Sequence, residues 1–162
     1  MSIKPLCIDE SIDNIVNTYS NMVYRLAFSQ TRNKSDADDI FQEVFLRYIK
    51  NKPNFETEEH RKAWLIRVTI NCAKKLWASS WAKKTQPLDD EIAFETEEDN
   101  NLHYELKKLP IKYRTVIHLF YYEDLSIEEI SHILKQKPST VRTQLTRGRR
   151  KLKEILKEDY DV

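Results

Sequence analysis

The densest chemical signal in the chain lies in residues 135–157, where nine Lys or Arg stand against one acid, Glu154, a net charge of +8 over 23 residues. A charge block is usually a solvated face, but a surplus of this size fits a polyanion partner better. Within it, Val141, Leu145 and Leu152 recur at helical spacing and can face a core, while Thr140, Arg142, Thr143, Gln144 and Arg147 fall on other faces. Arg can pair bidentately with guanine and Gln with adenine, each for ~1–3 kcal/mol of discrimination. Arg149, Arg150, Lys151 and Lys153 lie further along and suit phosphates, which add affinity without sequence information.

Other chemistry finds little support. His60, His103, His118 and His132 have no metal-ligand spacing with one another or with the two Cys, and Glu128 with His132 is not HExxH. Each His reads as a surface or cap residue. No local motif marks a Ser or Cys nucleophile, so neither catalysis by the chain itself nor a cofactor is expected. Cys7 and Cys72 are 65 positions apart and outside any CxxC pair, which suits two reduced thiols, with Cys72 in a helix core.

Composition bounds the scaffold. The chain has 162 residues, 27 Lys+Arg against 26 Asp+Glu, 40% hydrophobic and 33% charged content. That is too hydrophobic for a disordered chain and too charged for a membrane one. No window approaches the ~18 uncharged apolar residues of a membrane span, and the N-terminus lacks the apolar run of a secretory signal, so no membrane insertion and a cytoplasmic location are expected. One glycine, where ~7% is average, starves the chain of hairpin turns and phosphate-cradling loops. An all-α fold follows.

Charge divides that fold. Segment 1–86 is net +4; segment 87–101 carries seven acids and no base, net −7; segment 102–162 is net +4. The acidic stretch has the composition of a linker extended by its own repulsion. The expectation is two small helical bundles, 1–86 and 102–162, joined by an acidic flexible linker, 87–101.

Local signals place the helices. Ile12, Ile15, Val16, Tyr19, Met22, Val23, Leu26 and Ala27 make one apolar stripe over 12–32. Ser35 with Asp38 reads as a capping box, followed by a second stripe through Ala37, Ile40, Phe41, Val44, Phe45 and Tyr48 to about Lys50. Thr57 can cap a helix running to about Trp81, with Glu58 and Glu59 at its positive end. Beyond the linker come a short helix near 102–108 and one starting at Pro110 and reaching Tyr122. Ser126 then pairs with Glu129 as a capping box, Leu125 with Ile130 as a staple, over a short helix, 127–134. After the interruption at 135–138, with Pro138 suited to a first helical position, a last helix runs from Ser139 to about Lys157. A short capped helix, a tight turn and a longer basic helix are the arithmetic of a helix-turn-helix, whose second helix enters the major groove.

These residues resemble a known family. Leu109-Pro110, Arg114, the run Tyr122–Ile130, Leu134, and Thr140-Val141-Arg142 with Leu145, Arg147, Arg149 and Leu152 are similar to the promoter-reading region of extracytoplasmic-function (ECF) sigma factors of bacterial RNA polymerase. The N-terminal half agrees independently: Asp36–Arg47 is similar to the family's polymerase-binding helix, and Ala63–Val68 with Asn71 to the helix that meets the downstream promoter element. The resemblance implies that core RNA polymerase and promoter DNA are the partners, with an anti-sigma protein as a further one. It implies that Asp39, Gln42 and Glu43, beside Phe45, dock on the polymerase, as exposed polar groups at a polar-rimmed interface can. Asp36 and Asp38 fit dipole compensation better. Arg61, Trp64, Arg67, Asn71, Lys74 and Lys75 keep several groups on one helical face, and an aromatic among cations and an amide fits capture of an unstacked minus-ten strand. Trp64 fits a core position equally well. The loop 51–59, with Pro53, Asn54 and Phe55, would hold the extruded base. Ser139, Thr140, Arg142, Thr143, Gln144 and Arg147, with Arg150 and Lys151, would read the minus-thirty-five element. The acidic linker would mimic a polyanion in the polymerase channel.

The chain departs from the family pattern at Lys75 and Ala78, at Lys135 where glycine is frequent, and at Gly148 inside the reading helix, where glycine costs ~1 kcal/mol against Ala. The rival reading is a stand-alone helix-turn-helix regulator with a dimerising or sensing N-terminal bundle.

Overall fold

The computed structural model describes residues 8–31, 33–51, 53–81 and 105–160; Cys7, His103 and the acidic stretch 87–101 lie outside them. Helices α1 (Ile8–Gln30), α2 (Lys34–Asn51) and α3 (Glu58–Trp81) pack on one another as a three-helix bundle. Val23, Ala27, Ala37, Ile40, Val44 and Leu65 are all but inaccessible at its centre, with Cys72 a buried free thiol whose pKa burial pushes up. The apolar stripes therefore face where their periodicity points.

The second helix starts earlier than its sequence suggests. Asn33, not Ser35, takes the capping role: its Oδ1 accepts the Asp36 N–H at 2.8 Å, and its amide donates to the Asp36 carboxylate at 3.1 Å. Asp38 instead pairs with Lys34 at 2.9 Å. Asn caps as well as Ser, and here it also finds a reciprocal carboxylate three residues on. Thr57 caps α3 as expected, its hydroxyl accepting the His60 N–H at 3.1 Å.

Of the short helix expected at 102–108, only Glu105–Lys108 are described, and they make turn bonds from Lys108 N–H to Glu105 O and from Leu109 N–H to Leu106 O. Pro110 sits just outside α4 (Ile111–Ile117) rather than as its first residue, and α4 continues into one π-helical turn, His118–Tyr122. Then follow α5 (Ile127–Leu134) and α6 (Pro138–Tyr160), the helix-turn-helix pair. The capping box of α5 is complete, Ser126 Oγ accepting from Glu129 N–H at 3.0 Å and Glu129 returning the contact at 2.9 Å. Lys135 ends α5 in the left-handed conformation (φ 57°), and the Gln136 N–H closes the cap on Ser131 O. A side chain there holds a conformation that glycine adopts without strain.

The glycine inside α6 is explained by close approach. A Cβ on Gly148 would stand 2.8 Å from Ile117 Cδ1 and 3.1 Å from Tyr113 Cβ, so its absence lets α6 settle directly on α4.

The π turn overturns one expectation. His118 reads as a surface or cap residue but is fully buried, its ring stacked on Tyr122 at 5.0 Å and its Nε2 3.3 Å from the Glu123 carboxylate. The wide turn, closed by the Glu123 N–H on His118 O, puts imidazole and carboxylate on the same inward side.

The two halves also share a core. Leu26, Ile66 and Ile70 from the first bundle cluster with Leu109, Val116, Ile117, Leu119 and Ile130 from the second. Polar contacts frame that seam: Arg114, only 8% exposed, donates to Ser29 O at 2.8 Å and Leu109 O at 3.2 Å, Gln30 donates to the Thr115 hydroxyl at 2.8 Å, and Lys62 donates to Glu123 O at 2.8 Å.

Candidate nucleic-acid interface

Helix α6 turns Val141 and Leu145 into the core and leaves Ser139, Thr140, Arg142, Thr143, Arg147, Arg150 and Lys151 exposed, with Gln144 half-buried. The complete cap of α5, the left-handed Lys135 and the missing Cβ of Gly148 fix this helix against its neighbours. Its outer face is thus a rigid, acid-poor surface. Open clefts flank it on both sides of Arg147, of about 310 Å³ and about 360 Å³. Arg149 does not join that face: its Nε donates to the Tyr121 hydroxyl at 2.6 Å and its guanidinium lies 5.5 Å from the centres of the Phe120 and Tyr121 rings. The helical register turns it toward the π turn, away from Arg150 and Lys151.

The first bundle presents a different surface. Asn54, Asn71, Lys74 and Lys75 are exposed and Arg67 is half-buried, its Nε without a hydrogen-bond partner. Phe55, Trp64 and Tyr48 form an aromatic cluster with ring centres 5.7–6.3 Å apart, and His60 meets Phe55 edge-on at 5.2 Å. Trp64 is therefore both half-buried support and partly exposed ring. Arg61 lies 5.4 Å above Phe55 and pairs with Glu58. Glu58 also accepts the Tyr19 hydroxyl at 2.5 Å, a bond that holds the carboxyl below its ordinary range, while burial and that same carboxylate push Tyr19 up to about 12.

On α2, Asp39, Gln42 and Glu43 are exposed, Glu43 paired with Arg47 at 2.8 Å. Phe45 is not part of that surface: it is 7% exposed and packs inward on Phe41, ring centres 5.0 Å apart. The exposed apolar residues beside the acids are Leu46 (59%) and Ile49 (41%). The sequence carries a signal for them: Leu46 falls three residues beyond Glu43 and Ile49 three beyond Leu46, on the face of the acids and off the buried stripe.

Among the described residues no group of His, Cys, Asp or Glu is placed to hold a metal ion, and no helix is long and apolar enough to cross a membrane.

A helix-turn-helix with an open basic face, behind a three-helix bundle carrying aromatics among cations, is an arrangement suited to nucleic acid. Sigma-70 region 2 matches residues 15–83 and Sigma-70, region 4 matches 99–152. The chain is 34% identical over 144 residues to RNA polymerase sigma factor SigV of Bacillus subtilis (strain 168), covering 84% of this chain and 86% of that protein. It is 30% identical to ECF RNA polymerase sigma factor SigW of the same organism, covering 92% and 90%. The fold is shared with the sigma factor RpoE of Bartonella quintana, solved with the anti-sigma factor NepR (TM-score 0.80, 18% identity, 91% of this chain and 98% of that one). It is shared too with CnrH, solved with the cytosolic domain of CnrY (TM-score 0.71, 21% identity, 93% and 90%). The chain belongs to the ECF sigma factors: it is an RNA polymerase sigma factor for promoter recognition in transcription initiation. Both regions match in the family's order, so the stand-alone regulator is not favoured.

Proposed function

We propose a division of labour along the chain. The N-terminal domain, 1–86, grips core RNA polymerase through Asp39, Gln42 and Glu43, with Leu46 and Ile49 as the apolar centre that Phe45 does not provide. The same domain captures the minus-ten element as single strand through Asn54, Phe55, Arg61, Trp64, Arg67, Asn71 and Lys74. The acidic linker, 87–101, tethers it to the C-terminal domain, 102–162, which reads the minus-thirty-five element as duplex through Ser139, Thr140, Arg142, Thr143, Gln144 and Arg147, with Arg150 and Lys151 on phosphates. Two weak binders on one polymerase reach specificity through effective concentration. The chain works in the cytoplasm, performs no catalysis itself, and is open to sequestration by an anti-sigma protein, as its structural neighbours RpoE and CnrH are found bound to partner chains.

The observation that carries this reading is the exposed face of α6, where seven of the eight residues of the minus-thirty-five set stand in solvent. The test mixes purified chain with core polymerase. Asp39→Lys with Glu43→Lys is expected to weaken co-elution at least ~100-fold, ~2.7 kcal/mol, with an unchanged helical spectrum. Arg142→Ala or Arg147→Ala keeps co-elution and weakens promoter use by ~1–3 kcal/mol. Equal loss of both properties in all variants overturns the division.

A further inference from the structure

The cleft of about 310 Å³ beside the reading helix is built by two helices, with Lys112 and Tyr113 from α4 facing Ser139, Thr140, Thr143 and Arg147 of α6. Its lining carries two cations, three aliphatic hydroxyls and no acid. The Lys112 ammonium lies 5.1 Å from the centre of the Tyr113 ring, and Tyr113 is buried, so a fixed aromatic floor supports an exposed cation. The Thr143 hydroxyl donates to Ser139 O at 3.0 Å, which leaves Ser139 and Thr140 as the hydroxyls able to donate outward. Two cations and two hydroxyl donors around an open, acid-free cleft are the complement of a phosphate.

We propose that this cleft seats one backbone phosphate of the duplex that α6 reads, with Lys112 as a positioning residue beside Arg147. The proposal rests on the minus-thirty-five reading of α6 and adds a contact from outside the helix-turn-helix. Its physical value lies in rigidity. Tyr113, the neighbour of Lys112, is one of the two residues against which Gly148 closes, so the backbone that carries Lys112 is anchored one residue from the tightest approach of α4 to α6. A phosphate gripped from α4 and from α6 together fixes the angle at which the reading helix enters the groove, which a contact from α6 alone cannot do. Arg147 also lines the second cleft, with Arg142, Thr146 and Arg150, and so stands between a phosphate contact and the reading residues.

The experiment uses the complete chain bound to core polymerase on promoter duplexes. Lys112→Gln is expected to weaken binding by a similar factor on promoters that differ in the minus-thirty-five sequence, and to lower the slope of log affinity against log salt by about 0.9. Duplexes carrying one uncharged methylphosphonate at successive positions supply the decisive readout: one position that weakens the unaltered protein weakens Lys112→Gln by a distinctly smaller factor, yet acts in full on Arg142→Ala. Additive losses at every position, or a wild-type salt slope, overturn the proposal. A loss confined to one minus-thirty-five sequence makes Lys112 a base contact and overturns it as well. If no methylphosphonate across that element affects the unaltered holoenzyme, the reading of α6 itself fails, an outcome distinct from failure at Lys112 alone.

Discussion

The two halves of this chain are built on opposite principles. The first bundle uses three long helices of 23, 18 and 24 residues whose order comes from interdigitated apolar stripes. The second uses two short helices, a π turn and one long helix, set in place by single residues: a reciprocal cap, a left-handed lysine, one glycine at a helix crossing. Their candidate DNA surfaces differ in the same way. The side chains of α6 stand free in solvent on a fixed frame, ready for a duplex of fixed shape. Phe55, Trp64 and Arg61 are stacked or paired with one another and with Glu58. Capturing an unstacked base there means exchanging internal partners for DNA, and such a site can discriminate through what it gives up as well as through what it gains.

The largest expected effect concerns the seam between the halves. Arg114→Ala removes charge-assisted hydrogen bonds to two buried carbonyls, at ~1.5–3 kcal/mol each when intact, so a total loss of about 3–6 kcal/mol is expected. Urea unfolding is the measurement. The intact chain is expected to unfold in one transition because its halves share a core, and Arg114→Ala to split that transition into a less stable and a more stable step. A single, merely shifted transition breaks the comparison, for the halves are then one cooperative unit.

Gly148→Ala sharpens the contrast within the second half alone. Helix propensity favours Ala by ~1 kcal/mol, but the added Cβ meets Ile117 and Tyr113, and overpacking costs ~1–3 kcal/mol. A net loss of about 1 kcal/mol is expected in thermal unfolding, larger for Gly148→Val. A gain instead shows that α4 and α6 can yield.

The smallest effect is on acid stability of the first bundle. Glu58 is held below its unfolded value of 4.5, chiefly by the Tyr19 hydroxyl. A depressed carboxyl contributes stability that is present above about pH 4.5 and lost as the pH falls through its folded value. Because Glu58 is largely exposed, the contribution amounts to a few tenths of a kcal/mol. Tyr19→Phe is expected to flatten the acid limb of the unfolding profile below pH 4.5 while leaving the second half unchanged.

The helices were legible because each announces itself locally, by an apolar period or by a cap. The errors arose where a signal had a competitor. Ser35 and Asn33 are both good caps two residues apart, and only the position of the Asp36 side chain decides between them. His118 reads as superficial because a lone histidine carries no sign of burial, and nothing in a single sequence marks the π turn that swings Glu123 inward beside it. Among the site residues, the face of α6 followed from its period, since Val141 and Leu145 fix the register. Phe45 failed for the converse reason: it belonged to the apolar stripe already drawn for α2, while Leu46 and Ile49, left off that stripe, are the ones in solvent. Lys112 lay beyond reach, because its relation to α6 is a tertiary contact through Gly148 and no spacing along the chain records it.

Leu26, Ile66 and Ile70 carry a last consequence. Promoter elements named for positions ten and thirty-five are separated by about 25 base pairs, or ~85 Å at 3.4 Å per pair, whereas a compact chain of this length has a radius of gyration of only ~15 Å. On the proposed division of labour, a chain straddling both would come unclasped, baring three aliphatic side chains to water and parting the Arg114 guanidinium from Ser29 O. Engaging a promoter would then begin with undoing a fold, and the enzyme surface that receives this subunit would have to supply the difference.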